Sequence, residues 1–195
     1  MELLLAALFG GLLGSIPFGL VLTRAAGLGD IRQIGSGNIG ATNVLRTGNK
    51  GLAAATLLLD GAKGAVAVLV AGALWADPWA APVAGFAAML GHLFPPWLGF
   101  KGGKGVATGL GVLLAAAPWA GLAACGVWLA AAVVTRISSA SALTAIVASP
   151  ALCLALADWR AAVLALAMAV PIVWRHEANI RRLLAGTEPR IGERR

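Results

Sequence analysis

The chain has 195 residues, of which 59% are hydrophobic, with a mean hydropathy of +0.87 and a formal charge of +7. That apolar share lies far above the usual one for a soluble domain, which excludes an ordinary water-soluble enzyme and points to lipid as the solvent. The basic excess forms no stripe on a soluble, aromatic-bearing surface, so nucleic acid is not an expected partner.

The opening run, "MELLLAALFGGLLGSIPFGLVLTR", carries Glu2 where a signal peptide has a basic n-region, and it is longer than an h-region. It reads as a retained first span. Further apolar helices are expected over 51–75, 79–97, 105–117, 119–135, 141–157 and 160–174, following a first over 2–23. The expected fold is therefore an all-α integral membrane protein of about seven spans, with residues 1–195 in one polytopic domain. Fusing the short fourth run with the fifth across Pro118 is the alternative topology. Charge selects between them: with seven spans every Lys and Arg except Lys63 and Arg160 falls on one side, including Arg194 and Arg195 at the tail. The positive-inside rule then places the N-terminus outside and the C-terminus in the cytoplasm. Trp75, Trp79, Trp119 and Trp159 would mark the outer ends, and Trp97 and Trp174 the inner ones. Cys125 and Cys153 lie within apolar runs and read as small hydrophobes rather than a disulfide or metal framework.

Between the first two spans lies "IRQIGSGNIGATNVLRTGNKG". Gly35, Gly37 and Gly40 match G-x-G-x-x-G, but a dinucleotide fingerprint needs a preceding buried strand, and here a membrane helix precedes it. What these glycines offer is backbone N–H groups able to approach an anion closely. Ser36, Asn38, Thr42 and Asn43 add neutral hydrogen-bonding groups, and Arg46 adds a planar fork suited to phosphate oxygens. A solvated linker is the plainer reading. In the second span Asp60 and Lys63 are i, i+3 neighbours able to pair; a structural ion pair and a direct role at the site both remain open. The aspartate-rich signature of the CDP-alcohol phosphotransferases needs further aspartates downstream, which are missing.

The stretch "GHLFPPWLGFKGGKGVATG" puts Lys101, Gly102, Gly103 and Lys104 at the mouth of the fourth span, where unpaired N–H groups and the helix dipole favour phosphate. It is not a Walker A motif, because Leu98 and Gly105 stand where glycine and Ser or Thr are needed. Nucleotide hydrolysis is not expected. In "RHEANIRRLLAGTE", His176, Asn179, Ile180 and Leu183 share one helical face, and Arg181 and Arg182 extend the basic surface. An imidazole there can donate to a phosphorylated ligand or exchange a proton with it.

Taken together, "SGNIGATNVLR", "GHLFPPWLGFKGGKGVAT" and "HEANIRRLLAGTE", with "GSIPFG" in the first span, resemble the signature motifs of the bacterial acyl-phosphate:glycerol-3-phosphate acyltransferases, the PlsY family. The resemblance covers nearly the whole chain in order. It implies a seven-helix enzyme of the bacterial inner membrane, with its active site on the cytoplasmic side. Such an enzyme moves an acyl group from acyl phosphate to the sn-1 hydroxyl of glycerol 3-phosphate, giving lysophosphatidic acid and phosphate. Carried over by motif position, the site would comprise Ser36, Asn38, Thr42, Asn43, Arg46, Lys101, Lys104, His176, Asn179 and Glu188, with Ser139 or Ser141 supplying a further serine. Lys104 and loop amides of Gly35, Gly37, Gly40, Gly102 and Gly103 would hold a phosphate. Arg46 and Asn179 would orient glycerol 3-phosphate, and Ser36 and His176 would contact the reacting groups. The general base is left open between His176 and the acceptor's own phosphate. Glu177 after the histidine and Ile137 after Arg136 depart from the family's usual residues. No cofactor is implied, no carboxylate cluster argues for a metal, and the chain is expected to act as a monomer among membrane lipids. A carrier of phosphorylated solutes and a non-enzymatic headgroup scaffold are the rival classes; the polar residues gather at one surface rather than at a midplane.

Overall fold

The computed structural model describes residues 1–192; Arg194 and Arg195, counted above with the tail's charges, lie outside them. Among the described residues every regular element is helical. The expected first span is two helices, α1 (Glu2–Gly14) and α2 (Phe18–Ala25). Pro17 has no N–H to continue the ladder, so the chain breaks over Ser15 to Pro17. At that break the Ile16 carbonyl accepts from Phe18 N–H at 3.1 Å and from Lys63 Nζ at 2.7 Å. A single turn, α3 (Ala41–Val44), sits within the first loop. The Asn49 side chain accepts from Leu52 N at 3.0 Å to cap α4 (Lys50–Leu74).

Next, α5 (Ala80–Leu93) stops short of the expected residue 97 because Pro95 and Pro96 follow, and a 3-10 turn over Pro96–Leu98 takes its place. The fourth and fifth runs are separate, α6 (Val106–Ala116) and α7 (Pro118–Thr135), with Pro118 in the first turn of α7. A Cβ added to Gly121 would lie 2.7 Å from the Leu113 carbonyl carbon, whereas one continuous helix would hold those residues about 12 Å apart. The chain therefore folds back sharply at Ala117. It continues through α8 (Ser138–Leu156), α9 (Trp159–Trp174) and α10 (Glu177–Leu184).

Four segments are long and apolar enough to cross a membrane: α1 with α2, α4, α7 and α8. The pair α9 and α10, bent by 67°, would make a fifth. With 11 residues, α6 spans about 16 Å against a hydrocarbon core of about 30 Å.

The bundle packs α1 on α5, α4 on α5 and α6, and then α6 to α9 in sequence. Lipid tails are as apolar as leucine, so these contacts gain from close van der Waals approach rather than from escaping water. Small residues make that approach possible: a Cβ on Gly14 would collide with the Ala88 backbone, and one on Gly111 with that of Gly61. Met89, Leu93, Val112, Leu113, Ile146, Met168 and Ile172 fill the core between α5, α6, α8 and α9. The ends of the bundle are marked by aromatic pairs. Trp79 and Trp159 meet edge to face at 5.6 Å, and Phe94 and Trp174 stand 6.0 Å apart with the Arg175 guanidinium 5.8 Å from the Phe94 ring.

The seam between α1 and α5 gives a first expected outcome. Gly14→Ala forces two backbones apart and lowers the thermal midpoint in detergent, at a cost of about 1–3 kcal/mol. Gly126→Ala, at an exposed position on α7 where an added Cβ meets nothing within 4 Å, leaves the midpoint unchanged or raises it.

Candidate active site

The first loop is organised by the side chain of Asn43, which is 2% exposed. Its Nδ2 reaches the carbonyls of Ile31, Ile34 and Asn38 at 3.0, 2.9 and 2.8 Å. Its Oδ1 accepts from Ser36 N, Ser36 Oγ and Arg46 Nη1 at 3.1, 3.3 and 3.1 Å. One buried amide thus fixes the serine and the guanidinium together. Gly35, at φ +56, passes where a Cβ would lie 2.7 Å from Arg46 Cδ, so the loop closes over the arginine only with glycine there. Upstream, hydrogen bonds from Arg32 hold the Asp30 carboxyl well below the ordinary carboxylate range, and Arg24 joins the same cluster.

Of the five glycine amides expected to form the anion nest, those of Gly37, Gly40, Gly102 and Gly103 are paired within the protein. Gly37 N–H donates to Ile34 O at 3.0 Å and Gly40 N–H to Asn38 Oδ1 at 2.8 Å. Gly102 N–H donates to Leu93 O at 3.1 Å and Gly103 N–H to His92 O at 3.0 Å. Gly37 is exposed, Gly40 half-buried, and Gly102 and Gly103 buried, yet each of these four amides pairs with the protein itself, so these glycines shape the loops.

In the second stretch the carbonyls of Gly102 and Gly103 accept from Arg175 at 3.0 and 3.3 Å. Lys104 follows directly, and its Nζ donates to Asn179 Oδ1 at 2.5 Å. Burial lowers the Lys104 pKa to about 8 even though Glu188 pulls it upward; Arg182, Arg46 and Arg175 act on it in the same downward sense. All three stretches therefore converge on this lysine.

Glu188 closes the third stretch. Its Oε1 accepts from Ser139 Oγ at 2.7 Å and from Asn179 Nδ2 at 2.5 Å, and its Oε2 accepts from Arg182 Nε at 2.6 Å. Burial pushes its pKa up, but the bonds from Ser139, Asn179 and Arg182 outweigh that and hold it below the ordinary value. Thr42 Oγ1 lies 3.2 Å from Ser138 Oγ, tying the first loop to the start of α8. His176 is 2% exposed, and its Nδ1 stands 2.7 Å from Ile172 O. Burial drives its pKa down to about 4, so at neutral pH the ring is uncharged, with Nδ1–H donating to Ile172 O and Nε2 carrying a lone pair.

Of the two candidate serines, Ser139 joins this network, while Ser141 donates to Ile137 O of its own helix at 2.9 Å. Lys101 is exposed and stands apart from the network. No hydrogen bond among the described residues joins Ser36 to His176. Sequence reasoning passed over Arg175 and Ser138 as site groups; Arg175 was visible only as one more positive charge at a span end. It also passed over His92, an ionisable residue inside an apolar helix, which is a signal in itself.

A family model described as glycerol-3-phosphate acyltransferase matches residues 4–186. Proteins named glycerol-3-phosphate acyltransferase from Paramagnetospirillum magneticum and Agrobacterium fabrum are each 64% identical to this chain, covering 98% of it and 95% and 93% of their own lengths. Crystal structures of PlsY (YgiH), an integral membrane glycerol 3-phosphate acyltransferase, in its glycerol 3-phosphate and lysophosphatidic acid forms, match with TM-scores of 0.91 and 0.90. They are 38% and 37% identical to it over 98% of this chain and 96% of theirs. With its apolar helices and its basic polar cluster at one end of the bundle, this chain belongs to the glycerol-3-phosphate acyltransferase family.

Proposed function

We propose that this protein moves a fatty acyl group from acyl phosphate to the sn-1 hydroxyl of glycerol 3-phosphate, releasing phosphate and lysophosphatidic acid. The observation that carries this reading is the gathering of Arg46, Arg175 and Arg182 around Lys104, which is itself bonded to the Asn179 amide that Glu188 holds. Two phosphorylated substrates bring about two negative charges per phosphate, and such a cluster offsets their mutual repulsion. Acyl phosphate is already a mixed anhydride, so no covalent enzyme nucleophile is required. The glycerol hydroxyl attacks the acyl carbon, the carbon to phosphate-oxygen bond breaks, and the departing phosphate takes the electron pair. Lys104 stabilises the phosphate, Arg46 and Asn179 orient glycerol 3-phosphate, and Ser36 stands beside the reacting carbonyl.

His176 accepts the hydroxyl's hydrogen bond at Nε2 and orients it. A group with a pKa of about 4 is a weak base at neutral pH, whereas a phosphate monoester has its second pKa near 6, so the proton passes to the acceptor's own phosphate. Purified protein in liposomes, given labelled glycerol 3-phosphate and acyl phosphate, forms lysophosphatidic acid; acyl thioesters in its place do not. Product from thioesters alone refutes the donor assignment, and counterflow without product would instead make the protein a carrier. His176→Ala leaves the hydroxyl unoriented and lowers turnover by about 100-fold, and turnover within twofold of the parent removes His176 from the reaction.

The alkaline limb of the pH profile follows from Lys104. Its folded pKa of about 8 means the ammonium is charged below that pH and lost above it, so kcat/KM falls as pH rises through about 8. Lys104→Arg keeps its charge to higher pH and carries the fall upward; a limb that stays put assigns it to another group.

Within this reading the chain is a single-domain monomer that crosses the bacterial inner membrane seven times, with α6 as a short crossing, the N-terminus outside and the site on the cytoplasmic side. The one-sided placement of its basic residues supports this orientation. In a Cys125→Ser, Cys153→Ser background, Lys101→Cys reacts with a membrane-impermeant maleimide in inside-out vesicles and not in intact spheroplasts. The opposite pattern inverts the topology.

A further inference from the structure

Three ionisable side chains lie buried behind the glycine loop, and the acyl-transfer chemistry above uses none of them. Asp60 and Lys63 of α4 are 2% and 3% exposed, and His92 of α5 is 4% exposed. Lys63 Nζ stands 2.8 Å from Asp60 Oδ1, 2.7 Å from Ile16 O and 2.9 Å from His92 Nδ1. The contact with Asp60 is an ion pair without hydrogen-bond alignment, since that oxygen has no directed partner. An ammonium group has only donors, so Nδ1 of His92 accepts from it and the ring's proton resides on Nε2. Asp60 Oδ1, 3.5 Å from the same Nδ1, balances the charge.

A bare ion pair would need no third partner on another helix. Here the pair reaches across to α5 and, through the Ile16 carbonyl, to the break between α1 and α2. What His92 supports in turn is the loop. Its carbonyl accepts from Gly103 N–H, and a Cβ on Gly103 would collide with the ring at Nε2. The imidazole edge therefore lies directly under Gly103, one residue before Lys104. On its far side the loop is held by Arg175, which donates to the carbonyls of Gly102 and Gly103.

We propose that Asp60, Lys63 and His92 are positioning residues for acyl transfer: Lys63 orients the His92 ring, and that ring is the ledge that fixes Gly103 and, through it, Lys104. The inference rests on the acyl-transfer reading for what Lys104 does, but not for where Lys104 stands. None of the three touches substrate; they act through the loop.

The test uses full-length protein in detergent and compares the parent with His92→Ala, Gly103→Ala, the double variant His92→Ala/Gly103→Ala, and Asp60→Asn/Lys63→Met, which removes both buried charges together so that neither is stranded. Misplacing Lys104 by about 1 Å lowers kcat by about 10-fold to 100-fold, so each single variant loses at least tenfold. The double variant loses less than the product of the two single losses, because the ring that a methyl at residue 103 would strike is gone. Multiplicative losses, or His92→Ala with kcat and KM within twofold of the parent, overturn the proposal.

A second readout does not depend on turnover: reductive methylation of Lys104 followed by mass spectrometry across pH. Glu188, Arg182, Arg46 and Arg175 act on this amine and are unchanged in every variant. Labelling of the parent has its midpoint near about 8; in His92→Ala and in Asp60→Asn/Lys63→Met, where the loop relaxes and the amine meets more solvent, it moves up toward the ordinary 10.5. An unmoved midpoint in both also overturns the proposal. A parent that fails to acylate glycerol 3-phosphate defeats the functional reading alone, and the labelling still decides the positioning.

Discussion

Glu188 is the group on which the site depends. Arg46, Arg175 and Arg182 all lie within electrostatic reach of Lys104 at one end of an apolar bundle, and like charges so placed push apart. At an effective dielectric of about 20, two unit charges 4 Å apart interact by about 4 kcal/mol. A single carboxylate, reached from α8 by Ser139 and from α10 by Asn179 and Arg182, supplies the opposing charge. It does so incompletely, since among the described residues one anion faces these four cations. The protein is thus left with uncompensated positive charge where ligand phosphates are proposed to bind, and their arrival relieves repulsion rather than adding to it.

The same contacts explain why distant parts of the chain need to be brought together by rigid helices. Ser139 stands in the first turn of α8, Asn179 on α10, and Lys104 just before α6. Their separation is set by how closely the helices pack, and that is set by glycine and alanine at the seams. In lipid, apolar burial adds little beyond contact, so a displaced seam is not pulled back by a solvent-driven force. Precision at the site therefore rests on backbones that touch, such as Gly14 on Ala88 and Gly111 on Gly61.

Much of this was legible in the sequence because hydrophobic run length and charge asymmetry are strong one-dimensional signals. The helical runs and the three polar stretches were readable from them, as was the separation of α6 from α7. Two departures from the sequence expectation share one cause. The first span is one crossing but two helices, broken at Ser15 to Pro17, and four of the five glycine amides expected in a nest are paired; both outcomes depend on where backbone hydrogen bonds go in three dimensions. Pro17 was in plain view, but apolar windows do not weigh it. Gly37, Gly40, Gly102 and Gly103 carry donors that any sequence reading would offer to an anion; only the positions of Ile34, Asn38, Leu93 and His92 reveal that those donors are already taken. Ser139 and Ser141 were likewise inseparable by motif, and the helix resolves them by turning one toward Glu188 and the other back onto Ile137.

With those amides committed, the task of meeting phosphate falls to side chains and to the first turn of α6, whose N–H groups precede any intrahelical partner. This changes what the glycines contribute to the proposed chemistry. A nest of amides would bind an anion with fixed dipoles and no net charge, whereas guanidinium and ammonium groups bind it with full charge that can be tuned by burial. Lys104 shows that tuning, because desolvation brings its pKa to about 8, so the group is still an ammonium at neutral pH and a bound phosphate holds it in that form to higher pH. His176 is tuned the other way, to about 4, so it stays neutral in the midst of cations and does not add to their repulsion. A neutral ring beside a bound phosphate can orient a hydroxyl without competing for its proton, which leaves the phosphate as the stronger base in the pocket. The division of labour in the proposed reaction, with positioning by the protein and proton acceptance by the substrate, then follows from the burial of His176, the cations beside it and the phosphate's own basicity.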